Sequence, residues 1–89
     1  MYRSLKPTVG NPVRYHDEDG NLLAAIVTHV AWKGPIGKPP DHQSPAGWCV
    51  DLWVFGRTSL KCVHAVPHRE SEDDRKDRWS FVPIEVVNV

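Results

Sequence analysis

The chain has 89 residues, and its 11 lysine and arginine residues balance 11 aspartate and glutamate residues, so the formal net charge is zero. A chain of this length forms one domain with a thin core, and its charge balance argues against a duplex-DNA-binding protein, which usually carries excess basic charge on one face. No apolar run approaches the roughly 18 residues of a membrane-spanning helix, and the N-terminus lacks the apolar region of a signal peptide, so we expect a cytoplasmic protein without a membrane segment.

The first part of the chain predicts an irregular arm, two strands and a turn. Residues 1–11 form the arm, and "PVRYH" (12–16) alternates apolar and polar residues as a half-buried strand does. "DEDGN" (17–21) is typical of a turn because Asp, Gly and Asn tolerate positive φ. "LLAAIVTHVAW" (22–32) is predicted as a central strand, since its β-branched residues outweigh the helix preference of Leu and Ala.

The second part predicts three more strands and a charged loop. "WCVDLWVF" (48–55) and "LKCVHAVPH" (60–68) form a hairpin around a tight turn, and "WSFVPIEVVNV" (79–89) is the last strand. Nine of the ten residues of "RESEDDRKDR" (69–78) are charged, which predicts a solvated loop. The large apolar residues expected in the core of these strands are Trp53, Trp79, Phe81, Ile84, Val86 and Val87.

These elements predict an all-β fold in a single domain over residues 1–89. Five short strands in so short a chain favour a small SH3-like barrel of about five strands, because closure hides the sheet edges. An OB-type barrel is the second choice, although its usual helix has no counterpart here. A long Pro/Gly-rich loop at 33–47 would join the second and third strands.

Four stretches carry a resemblance to small proteins of tailed bacteriophages and prophages: "VGNPVRYHDEDGNLLAAIVTHV", "VDLWVF", "VPH" and "RWSFVP". The similarity covers roughly residues 9–32, 49–68 and 79–83. It implies a phage or prophage origin and an SH3-like barrel, and it supplies no catalytic residue. This chain departs from the pattern in its 33–47 loop and in the terminal "IEVVNV".

The 33–47 loop is the predicted binding element. Four prolines restrict it before folding, so ordering it costs less entropy than its length suggests. Trp32 and Trp48 flank the loop and should stand close together at its base. With Lys33, Lys38 and His42 they could stack a planar group or anchor a protein partner. The alternative is a neutral insertion at a tolerant hairpin tip.

Register arithmetic predicts one polar pair on the 48–68 hairpin. A turn centred on residues 57–58 pairs Asp51 with His64, a cross-strand ion pair. The same register pairs Cys49 with Val66, which puts the two cysteines too far apart for a disulfide, so we expect two small buried thiols. Cys62 would lie two residues from His64 on the same strand face.

Two chemical sites remain as weaker hypotheses. Cys49, Cys62, His64 and His68 are residue types that bind zinc, but a strand separates His64 from His68 by about 13 Å. A small enzyme could use Cys62 as nucleophile with His64 and Asp51. We expect neither, so the sequence predicts no metal, no cofactor and no catalytic residue.

The functional expectation is a non-enzymatic, phage-encoded accessory protein. Its 33–48 loop would engage a host factor in the host cytoplasm, either a defence protein or a small nucleotide signal. The main alternative is a structural component of the virion, such as a head–tail or tail protein. Exposed aromatic residues and a sheet edge would also favour a homo-oligomer.

Overall fold

A computed structural model describes residues 5–34 and 37–82. Within them the chain forms one antiparallel sheet in the order β4-β3-β2-β1-β5, which confirms the all-β fold and the central place of β2. The predicted residues Ile84, Val86 and Val87 lie outside the described part of the chain. The strands are β1 (Pro12–His16), β2 (Leu22–Trp32), β3 (Trp48–Phe55), β4 (Leu60–Pro67) and β5 (Arg78–Phe81).

The turn between β1 and β2 lies where the sequence predicts it, and it is built around one carboxylate. Asp17 accepts hydrogen bonds from the backbone N–H groups of Asp19 (3.0 Å) and Asn21 (2.8 Å). Gly20 has φ of 86°, a left-handed conformation that glycine adopts without strain. This turn sets the register in which Tyr15 pairs with Leu23 and starts the sheet.

The core lies on one face of the sheet and follows the strand alternation. Trp79 is 0% exposed, which confirms its predicted core position, and its indole N–H donates to the carbonyl of Trp48 at 3.0 Å. The loss of a residue of this size would remove several contacts at once from a thin core. The other buried core residues are Val13, Tyr15, Ala25, Val27, Trp48, Val50, Leu52, Val54 and Val66.

Two register shifts meet at Asp51. On β2 the pairing steps from Val27–Leu52 to His29–Asp51, which leaves one extra residue on β2. Strict alternation would place Trp32 on the outer face, and this bulge turns it toward the core instead.

On β4 the pairing steps from Val50–Val66 to Leu52–Val63, which leaves an extra residue there as well. Cys49 consequently lies opposite Pro67, and its predicted pairing with Val66 is wrong by one residue. The two bulges therefore lie on β2 and β4, on either side of β3, at the level of Asp51.

The two end strands of this order approach each other at one point. His68 forms a parallel bridge with Trp79, and the Arg69 N–H donates to the Trp79 carbonyl at 3.0 Å. The His68 ring lies 4.7 Å from the Trp79 ring, centroid to centroid, and is 3% exposed. Burial lowers the pKa of His68 to about 4, so this ring is neutral at neutral pH.

Candidate binding surfaces and the Asp51 junction

The structure brings Trp32 and Trp48 together at the base of the 33–48 loop, as predicted. They are register partners, and their rings pack edge to face with centroids 5.0 Å apart. Trp48 is only 4% exposed, and its indole N–H donates to the Asp41 carbonyl at 2.8 Å. Trp48 therefore supports the loop from inside and presents little surface to a ligand.

Gly34 and Gly47 lie at the two ends of the loop, where the chain segments come together in what we call the neck. They leave space for the Trp32 ring to lie over this neck. A Cβ atom on Gly34 would stand 2.0 Å from this ring, and one on Gly47 would stand 2.6 Å from it. The Lys33 N–H donates to the Gly47 carbonyl at 2.7 Å across the neck. The neck is thus closed by an indole and a backbone hydrogen bond, without room for other side chains.

The N-terminal arm and the loop both contribute a side chain that contacts the Trp48 ring. The Lys6 ammonium lies 5.2 Å from the centroid of the Trp48 ring, and the His42 ring lies 5.7 Å from it. The Leu5 N–H donates to the His42 carbonyl and ties the arm to the loop. Of the five predicted binding residues, Lys33, Lys38 and His42 are exposed, whereas both indoles pack within the loop base.

A groove of about 680 Å³ separates the loop neck from the charged segment 69–78. Lys33 is the one predicted binding residue that lines it. The opposite wall carries Glu70, Glu72 and Asp73. Three carboxylates facing one ammonium would repel a phosphate group, so this groove does not suit an anionic nucleotide.

An exposed apolar surface lies on the outer face of β2, β3 and β4. Trp53 is 43% exposed and Phe55 is 46% exposed, so the predicted core position of Trp53 is wrong. Leu52 and Val54 take the inward side, and alternation leaves Trp53 and Phe55 outside. Cross-strand pairing joins six side chains into one surface, which we call the outer-face patch: Ala24, Ile26, Trp53, Phe55, Leu60 and Cys62.

Sequence reasoning missed this patch although the signal was present. The residues at 49, 51, 53 and 55 alternate with the buried residues at 50, 52 and 54. That pattern alone predicts an outward Trp53 and Phe55. The usual preference of large aromatic residues for the core misled the interpretation, because it was given more weight than the period of the strand.

Asp51 organises the bulged region beside the patch. Its Oδ2 lies 3.3 Å from the Nδ1 atom of His64, which confirms the predicted cross-strand pair. Its Oδ1 accepts a hydrogen bond from the Ala65 N–H at 2.9 Å. The Ala65 hydrogen bond, helped by His64, holds the pKa of Asp51 below its ordinary value despite partial burial.

Arg75, in the charged segment 69–78, stabilises the bulge of β4 through hydrogen bonds. Ala65 has φ of 54°, an unusual left-handed conformation for a residue with a Cβ atom. The Arg75 guanidinium donates to the carbonyls of His64 and Ala65 and pairs with Asp77. The strained residue is therefore held on both sides, by Asp51 at its N–H and by Arg75 at its carbonyl.

The segment 69–78 is only partly the solvated loop that its charges predict. Asp77 is 3% exposed, pairs with Arg75 and accepts a hydrogen bond from the Tyr15 hydroxyl at 2.8 Å. Burial, together with this carboxylate, raises the pKa of Tyr15. A charged segment can enter a small core in this way when its buried carboxylate meets both a cation and a hydroxyl donor.

The two cysteines have different environments. Cys49 is buried, and its burial raises the pKa of its thiol. Cys62 is exposed, so the prediction of two buried thiols is wrong for Cys62. Its sulfur lies 3.6 Å from the Nε2 atom of His64. Across residues 5–34 and 37–82, no three His, Cys, Asp or Glu side chains are grouped as a metal site.

No protein-family model matches this chain, and no curated protein or solved structure is significantly similar to it. The resemblance to phage proteins therefore stays a prediction. In the described part of the chain, no helix is long and apolar enough to cross a membrane.

Proposed function

We propose that this chain is a non-enzymatic, phage-encoded binding protein that docks on a bacterial host protein. The observation that supports this most strongly is the outer-face patch. Trp53 and Phe55 stand on a rigid central strand, so little side-chain or backbone order would have to be gained on binding. Exposed aromatic clusters of this kind are typical of protein contacts, and Trp is among the residues most often found at their energetic centres.

The same proposal favours a protein over a small nucleotide as the host factor. A nucleotide base needs an open aromatic face, and Trp48 is already covered by Lys6 and His42. Its phosphates need cations, and the groove beside Lys33 carries three carboxylates against that one ammonium group. The exposed Lys38 and His42 remain as a polar rim that a protein partner could contact next to the neck.

The strand order supports an SH3-like barrel as the finer description of the scaffold. A meander of four strands is extended by a fifth strand that pairs with β1. The contact of His68 with Trp79 brings the two end strands together. In such a scaffold the core fills the interior, and the outward residues of β2, β3 and β4 are left for a partner.

The experiment uses the full chain immobilised and exposed to lysates of candidate bacterial hosts. A captured protein is identified by mass spectrometry and purified, and its affinity is then measured by calorimetry. The test variant is Trp53→Ser with Phe55→Ser, and the matched control is Lys38→Ala with His42→Ala. We expect the test variant to bind about thirtyfold or more weakly, and the control to bind almost as the parent does.

Three outcomes would overturn the proposal. Loss of affinity only in the Lys38/His42 variant would place the contact on the loop. A thermal shift with a nucleotide library that disappears in Trp48→Ala would make the protein a nucleotide sponge. Stoichiometric copies in purified virions would support the structural alternative instead.

A further inference from the structure

Three side chains on β3 and β4 form a chain of polar contacts that ends in an exposed sulfur. The Cys62 sulfur lies 3.6 Å from the Nε2 atom of His64. The other ring nitrogen of His64, Nδ1, lies 3.3 Å from the Oδ2 atom of Asp51. A nucleophile, a base and a group that orients the base stand in this order in thiol sites that react rapidly.

The contacts determine which tautomer of His64 suits this arrangement. Asp51 is ionised because the pKa of its carboxyl is lowered, so its Oδ2 accepts a hydrogen bond from the Nδ1–H group of His64. With the proton on Nδ1, the lone pair on Nε2 faces the Cys62 thiol. Asp51 is itself held by the Ala65 N–H at 2.9 Å, so the orienting carboxylate cannot rotate away freely.

The surroundings leave the sulfur accessible and supply an apolar neighbour. Cys62 is exposed, and Trp53 is its register partner on β3. His29 faces Asp51 from β2, and Arg75 reaches the His64 carbonyl from the charged segment. Cys49 offers an internal reference, because it is a buried thiol in the same chain.

We propose that Cys62 is a nucleophilic thiol that undergoes exchange with disulfides, with His64 as its base and Asp51 as a positioning residue. The Cys62 proton passes to Nε2 of His64, and the sulfur attacks one sulfur of the disulfide R–S–S–R′. A new S–S bond forms between Cys62 and the R sulfur, giving Cys62–S–S–R, the S–S bond of R–S–S–R′ breaks, and the departing sulfur takes the proton from His64 as R′–SH. Cys62 is oxidised to a mixed disulfide and the R′ sulfur is reduced.

This inference does not depend on the proposed protein partner. It concerns the reactivity of the free chain and would stand even if no host protein bound the outer-face patch. Conversely, an unreactive Cys62 would leave the binding proposal intact.

The experiment reacts the full chain with 2,2′-dithiodipyridine, a neutral disulfide, and follows the released thiopyridone by absorbance. Peptide mapping by mass spectrometry assigns the modified cysteine. In neutral solution we expect His64→Gln to slow the modification of Cys62 by at least about tenfold. Asp51→Asn should slow it by a smaller factor, since asparagine keeps an oxygen for the Ala65 N–H. In strongly alkaline solution the modification rates of the parent chain and the variants should converge, because hydroxide then removes the thiol proton and His64 is not needed.

His29→Gln is the matched control. It removes a histidine on the other side of Asp51 that does not contact the thiol, so the rate should not change. Modification of Cys49 reports unfolding in the same samples, which separates a loss of reactivity from a loss of structure. Equal rates for His64→Gln and the parent chain in neutral solution would overturn the proposal, as would an equal slowing by His29→Gln.

Discussion

The 33–48 loop and the outer-face patch both contain tryptophan, but they place it differently. At the loop base, Trp32 and Trp48 pack on each other, and the indole N–H of Trp48 is satisfied by a loop carbonyl. On the patch, Trp53 has its body against the sheet and 43% of its surface exposed. The aromatic residues at the loop base stabilise the loop itself, whereas those of the outer-face patch are exposed for contact with another surface.

The largest expected effect comes from truncating one tryptophan in each region. Trp48→Ala should lower the free energy of unfolding by about 3–5 kcal/mol, because it leaves a cavity beneath the loop. Trp53→Ala should cost about 1 kcal/mol, since much of that side chain is already in water. Urea denaturation measures both. Similar losses for the two variants would remove the distinction between the regions.

Removing the Arg75 side chain should destabilise the β4 bulge beside the outer-face patch, while the contacts of the 33–48 loop stay intact. Arg75→Ala leaves the buried Asp77 without its cation and releases the carbonyls of the bulge. We expect a loss of about 3 kcal/mol, reduced from the value for a fully buried pair because Arg75 is partly exposed. Lys76→Ala is the neighbouring control and should stay within about 0.5 kcal/mol of the parent. An equal effect in both variants would show that the Asp77 network contributes nothing specific.

A pH titration tests the contact between His68, which directly follows β4, and Trp79 on β5. Burial lowers the pKa of His68 from 6.5 to about 4. The unfolded chain therefore takes up a proton on His68 at a higher pH than the folded chain does. The contribution of neutral His68 to the free energy of unfolding is complete above about pH 6.5, and it falls as the pH drops toward about 4.

We expect a loss of about 2 kcal/mol by about pH 5, measured by urea denaturation. His68→Gln should remove this part of the pH dependence. If the parent and the variant lose stability in parallel over that interval, His68 is not the group responsible.

The smallest of these effects concerns the neck of the loop. In Gly47→Ala the new Cβ would meet the Trp32 ring, so the ring must shift. We expect a loss of about 1 kcal/mol and a changed tryptophan emission spectrum. An unchanged spectrum together with unchanged stability would mean that the neck is looser than the structure indicates.

Much of the fold could be predicted from local patterns. Alternation and turn residues predict β1, β2 and β3 at their observed bounds, and the hairpin register predicts the Asp51–His64 pair. These features depend on residues close in sequence or joined by one short turn. The pairing of Cys49 failed because it lies beyond the bulge at residues 64–65, and a bulge leaves no clear mark in composition.

The candidate surfaces were harder to predict because they depend on long-range packing. Nothing near Asp77 in the sequence indicates that Tyr15, 62 residues earlier in the chain, will donate a hydrogen bond to it. The cover that Lys6 gives to Trp48 likewise joins the N-terminal arm to a distant loop. Trp53 is the exception, since its place in the alternating pattern already indicates an outward side chain.

This protein presents Trp53 and Phe55 of the outer-face patch to a partner, whereas Trp32 and Trp48 pack together at the base of the loop. Hydroxyl-radical footprinting of the full chain, read by mass spectrometry, compares the aromatic residues in one sample. We expect rapid oxidation of Trp53 and Phe55, slow oxidation of Trp48 and Trp79, and protection of Trp53 when the captured host protein is added. Oxidation of Trp48 as rapid as that of Trp53, or protection confined to the loop, would contradict this arrangement.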